Sequence, residues 1–225
     1  MMRFDEMLLK AQRQLQKIQE SLYLTHALEN KCQFESAGEE THRLAAKAEK
    51  FAVLIRELAR GTGNPNAKEI VEAIIEENVP VTAEFTQEGW FKLCFPAMLP
   101  RKEGGGVEYI RGILHPAMMR FSKTNDPRRE FNNSVIIFRH VYDYQRPDRL
   151  FRDHDNIEIN AVVDILTLHL LRSDSPMQLE HHYCSARGMA SGTEVYIVER
   201  KDFVRFILAL DAGEIGAPVV KDPPQ

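Results

Sequence analysis

The sequence predicts an α+β protein in which an N-terminal helical hairpin precedes a small mixed sheet packed with helices. Three observations carry this. Two apolar stripes with spacings of four and three occupy residues 1–60. The apolar period then drops to two over residues 81–95. Strand-like and helix-like segments alternate from there to residue 210.

The elements follow in order. Phe4, Leu8, Ala11, Leu15, Ile18 and Leu22 form one seam, and Leu44, Ala48, Phe51, Ile55 and Leu58 form a second. Two such seams predict a coiled-coil-like hairpin or a dimerising helix, with the break at Glu35–Gly38. Gly61–Asn66 ends the helical region, residues 1–66. A connecting helix, 67–78, puts Ile70, Val71, Ile74 and Ile75 on one face. The α+β domain, 79–212, opens with a hairpin: Val81, Ala83 and Phe85 alternate outward, and Phe91, Leu93 and Phe95 alternate on the return. Lys102–Gly106 reads as a polar loop. Tyr109–Lys123 reads as a helix that Pro116 should kink or split. Ser134–Tyr142 is a strand apolar on both faces, Ile157–Leu171 an amphipathic helix, Thr193–Glu199 a strand and Phe203–Leu210 a short helix. Residues 213–225 read as a tail.

Composition narrows the class. The chain has 225 residues, of which 44% are hydrophobic, which rules out wholesale disorder. No run approaches the roughly 18 apolar residues of a membrane span. The start, Phe4-Asp5-Glu6, is acidic where a secretory leader would be apolar, so a cytoplasmic protein with no membrane partner is expected. Three scattered cysteines, Cys32, Cys94 and Cys184, argue against a disulfide framework. Net charge is −4, but residues 101–152 carry 11 Lys and Arg against 6 Asp and Glu. A basic middle offers a surface for an anionic partner. Within and beside it, Arg128, Arg129, Arg149 and Arg152 are the candidate phosphate-binding residues.

The most informative stretch is Arg152-Asp153-His154-Asp155-Asn156-Ile157-Glu158. Carboxylates at i and i+2 of an extended segment share one side. A hard cation such as Mg²⁺ relieves their repulsion. Asp174, in Ser173-Asp174-Ser175, follows the next helix and joins them only if that turn folds back. The plainer reading makes Asp155 and Glu158 a capping box, with Asp153 a loop residue. His181-His182-Tyr183-Cys184 collects borderline metal ligands but lacks the second spaced pair of a zinc site. Gly104-Gly105-Gly106 has no following Lys-Ser/Thr and is not a P-loop.

Asp153-His154-Asp155-Asn156, Asp164 within the following helix, Ser173-Asp174-Ser175 and the strand Val195-Tyr196-Ile197 occur in an order that resembles the RusA-like Holliday junction resolvases. The resemblance covers roughly residues 79–200. It implies a homodimeric, Mg²⁺-dependent endonuclease on branched DNA, with Asp153, Asp155 and Asp174 as catalytic, metal-binding acids. The family's lysine, four residues after the second acid, is Ile159 here, and its paired acids are reduced to Ser173-Asp174. Over a longer span, Phe138–Asp143, Arg152–Glu158 and Asp174-Ser175-Pro176 resemble an uncharacterised family carried on bacterial mobile elements. Together these imply a divergent RusA-like protein, inactive as an enzyme, associated with the DNA of a mobile element. Two alternatives stand beside it. One is a non-enzymatic dimeric adaptor whose N-terminal seams make the contacts. The other is an active Mg²⁺-dependent, structure-specific endonuclease.

Overall fold

The computed structural model describes residues 4–100, 102, 106–125, 130–146 and 151–215. Among the described residues are six α-helices and a five-stranded mixed sheet: α1 (Phe4–Asn30), α2 (Phe34–Arg60), α3 (Ala67–Asn78), β1 (Thr82–Phe85), β2 (Phe91–Phe95), α4 (Gly106–Thr124), β3 (Ser134–Asp143), α5 (Asn160–Leu170), β4 (Leu179–Gly188), β5 (Gly192–Glu199) and α6 (Phe203–Asp211). Among the described residues, no helix is long and apolar enough to cross a membrane.

The α1–α2 hairpin turns at Lys31-Cys32-Gln33, earlier than the Glu35–Gly38 break the sequence suggested, and Gly38 lies inside α2. Cys32 takes a left-handed conformation, φ 56°, and Gln33 N donates to Leu28 O at 3.0 Å, closing the end of α1. The packed faces also differ from expectation. In α1 the residues withdrawn from solvent are Met7, Ala11, Gln14, Ile18, Ser21, Thr25 and Leu28. In α2 they include Ala37, Glu40, Leu44, Lys47, Phe51, Leu54 and Leu58. Both sets follow the 3–4 rhythm of an a/d seam. The predicted seams had mixed these positions with the neighbouring e positions, so Leu8, Leu15, Leu22, Ala48 and Ile55 stay exposed. One layer of the true seam is polar. The Ser21 hydroxyl bonds both the Glu40 carboxylate and the Lys47 ammonium, and Lys47 lies 3.4 Å from Glu40. That hydroxyl, with Arg43 and Lys47, holds the Glu40 carboxyl below its ordinary pKa against the opposing effect of burial.

The sheet order is β1-β2-β5-β3-β4. All neighbours are antiparallel except β3 and β4, which run parallel from Ser134↔Leu179 to Asp143↔Gly188. Parallel neighbours need a crossover, and α5 supplies it. Alternation splits β3 between two cores. Ile136 and Phe138 face α3, α4 and α5, with Val71, Ile113, Leu114, Met118 and Leu166. Val135 and Ile137 face α6, with Trp90, Tyr196 and Phe206. This two-sided burial is why β3 reads as a continuous apolar run. Pro116 does not split α4, which is one helix through it. The hairpin joins this body through α2, which packs on α3 and α4.

Candidate functional site

The carboxyl end of β3 gathers several buried or half-buried polar side chains, among them His140, His154 and Thr193. Period two puts His140 and Tyr142 on the α4/α5 face, in line with Ile136 and Phe138. His140 is 0% exposed and neither ring nitrogen has a hydrogen-bond partner. Burial, with the nearby charges of His154 and Arg152, drives its pKa from 6.5 to about 4. It is therefore a neutral imidazole. In register beside it stand Ser185 on β4 and Thr193 on β5.

Past β3 the chain returns across this end of the sheet. Phe151 stacks on Tyr142 at 4.2 Å, and Arg152 N donates to the Tyr142 hydroxyl at 3.1 Å. A short 3₁₀ turn, His154–Asn156, then brings His154 to 5.4 Å from His140. His154 stacks on Tyr183 at 5.6 Å and shares a 3.1 Å hydrogen bond with Ser185 Oγ. Ile157, Glu158 and Ile159 are buried, and Glu158 N donates to Pro100 O at 2.9 Å.

The predicted site residues fall as follows. Asp153 and Asp155 are both exposed on the 3₁₀ turn, and neither caps it. The first turn of α5 is instead capped by Glu158, whose carboxylate accepts from Ala161 N at 3.3 Å. Of the two acids the capping reading named, Glu158 alone bonds the first turn of α5, from just before the helix rather than from inside it. Asp174 is exposed at the other end of α5. The crossover dictates this: a helix between two parallel strands runs antiparallel to both. Residues before it lie at the strands' carboxyl ends and residues after it at their amino ends. Along α5 the separation is about 16 Å, and along β4 from Leu179 to Ser185 about 20 Å. A shared ion spans a few ångströms. Among the described residues no three His, Cys, Asp or Glu side chains are grouped to hold a metal. The acids present do not fit the expected Mg²⁺ centre.

Of the candidate phosphate ligands, Arg128, Arg129 and Arg149 lie outside the described residues. Arg152 is half-buried, and its guanidinium donates to the carbonyl of Leu99. It ties the return segment to the chain after β2. Strand alternation also divides the His-His-Tyr-Cys run. His181 bonds Tyr183, Nδ1 to hydroxyl, at 3.2 Å, while His182 packs on Phe203 of α6, on the other face. Burial pushes the Cys184 thiol up, so it is no activated nucleophile.

Sequence reasoning missed the His140–His154–Ser185–Tyr183 group. The signal was available in part: His140 follows Ile136 and Phe138 at period two, a polar residue on a buried face. It also missed Arg139, which meets Glu194 at 2.6 Å on the α6 face, with the Tyr196 hydroxyl donating to the same carboxylate at 3.0 Å.

No curated protein matches the chain. Residues 2–215 match a family of unknown function, DUF6100. That span is nearly the whole chain, runs from α1 past α6 and so takes in both the hairpin and the sheet, and the protein belongs to the DUF6100 family.

Proposed function

We propose that this protein is a RusA-like relative that has kept the fold and lost the chemistry, and that it works as a non-enzymatic interaction protein of a bacterial mobile element. One observation carries the loss of activity: α5 holds Asp174 a helix length away from Asp153 and Asp155. A second agrees with it. Ile159, where the resemblance expects a lysine, is 7% exposed and packs in the core. What supports the RusA-like reading is the element order, β-hairpin, helix, strand, helix and two strands, with the acidic turn before the crossover helix.

The test is incubation of a synthetic four-way junction with the protein and Mg²⁺. No metal-dependent cutting is expected. Cutting that Asp155→Asn abolishes overturns the reading in favour of an active endonuclease.

DNA association is the second part of the proposal. The feature that favours it is an arginine–aromatic platform at the carboxyl end of the sheet. Arg187 lies 4.6 Å over Phe151, and Arg146 lies 5.7 Å over Tyr142. Arginines at a surface contact phosphates, whereas the rings beneath them are covered, Tyr142 being 1% exposed. Binding to the same junction at two salt concentrations checks it: affinity should fall steeply with salt. A salt-independent affinity, or none, leaves the protein–protein role alone.

A further inference from the structure

The charged side chains of the α1–α2 hairpin are unevenly distributed. The antiparallel register is fixed by Phe4 beside Gly61 and by Ser21 between Glu40 and Lys47. By spacing, it sets Leu8 near Ile55, Leu15 near Ala48 and Leu22 near Thr41, each pair offset along the axis by two residues, about 3 Å. In an antiparallel pair the e positions of both helices lie on the same side of the seam. These six residues therefore form one continuous face, and all six are exposed. Leu8, Leu15 and Leu22 are 40%, 44% and 53% exposed, and Ile55 is 39%. None of the six is charged. Along the opposite edge of the hairpin the g positions are charged except for Leu24: Lys10, Lys17, Arg43, Lys50 and Glu57. α1 packs appreciably on no described element but α2, so the body leaves its leucines uncovered.

A two-helix hairpin consumes only its a and d positions, and a largely apolar stripe at e is what a bundle would bury next. We propose that the e-face binds the same face of a second copy, so that two hairpins form a four-helix bundle about a twofold axis. The face is its own complement. The α1 leucines make a raised row beside the lower α2 surface at Thr41 and Ala48, and a twofold axis seats each row on the partner's recess. Charge favours the same pairing, because the six e positions carry none, whereas docking through the g edge would desolvate several ionised side chains of both signs. The area suffices. From Phe4 to Leu22 the face runs about 28 Å, and two helices about 9 Å apart make it about 20 Å wide. That is about 550 Å² per copy and about 1,100 Å² in all, above the roughly 1,000 Å² a specific interface needs. The proposal rests on the hairpin alone and holds whether or not the sheet domain binds DNA.

Sedimentation or light scattering of the full chain between about 1 µM and about 100 µM tests it by mass action. A dimer is expected. Leu15→Glu with Leu22→Glu should weaken it by at least about 100-fold, because a twofold contact counts each change twice. Leu24→Glu is the control. Leu24 is 48% exposed but at a g position, so the dimer should survive. Far-UV circular dichroism reports whether the helices stay folded. If the double variant loses helix, Ala48→Glu decides, since it alters an exposed position on the recessed half of the face. A wild-type chain monomeric throughout, or a dimer indifferent to both e-face variants, overturns the proposal.

Discussion

His140 and His154 face each other with ring centres 5.4 Å apart, yet only His154 has a hydrogen-bond partner, the hydroxyl of Ser185. A buried imidazole with two unmet nitrogens is tolerated only while uncharged. This gives the sheet domain a built-in acid sensitivity. His140 has a folded pKa of about 4 against an ordinary 6.5, so the unfolded chain binds the extra proton first. Its neutral form contributes full stability above pH 6.5, and that contribution is lost as pH falls towards 4. The loss is up to about 3 kcal/mol. Urea unfolding at several pH values should show it, and His140→Leu should flatten the profile.

Ile159 should not accept the lysine that the RusA-like pattern would place there. The side chain sits among the core residues just before α5. Ile159→Lys buries an ammonium group with no described carboxylate assigned to it, and should cost about 3 kcal/mol or more. Thermal unfolding measures the loss, and no junction cleavage should appear with it.

Cys32 occupies a left-handed position, φ 56°, at the end of α1, where a Cβ is strained. Cys32→Gly should stabilise the hairpin by about 0.5 kcal/mol, the relieved strain exceeding the added chain entropy of glycine. The midpoint of urea unfolding should rise.

Arg139 and Glu194 are about a quarter exposed and joined at 2.6 Å. Arg139→Ala leaves Glu194 with Tyr196 as its remaining hydrogen-bond donor and should cost about 2 kcal/mol. The double variant with Glu194→Ala should cost clearly less than the two single losses together. A double-variant cycle by chemical unfolding checks the coupling.

Much of the body was legible because the information is local. Val135-Ile136-Ile137-Phe138 announces a strand buried on two faces, and Phe91, Leu93 and Phe95 announce one core-facing edge, whatever surrounds them. The same periodicity was present in α1 and misread. Phe4, Ala11 and Ile18 belong equally to an a/d face and to an a/e face, and the sequence alone gives no preference. The turn at Cys32 and the polar layer of Ser21, Glu40 and Lys47 selected a/d.

The sequence by itself determined most of the elements, their order and which strand would be buried on both faces, since each depends on residues within one turn or one pleat of one another. Only the tertiary structure decided whether Asp153, Asp155 and Asp174 meet. Their distance is set by the parallel pairing of β3 with β4, which obliges α5 to carry the chain from one end of the sheet to the other. Hydrogen bonds between strands far apart in sequence fix that direction, and no spacing of acidic residues along the chain records it.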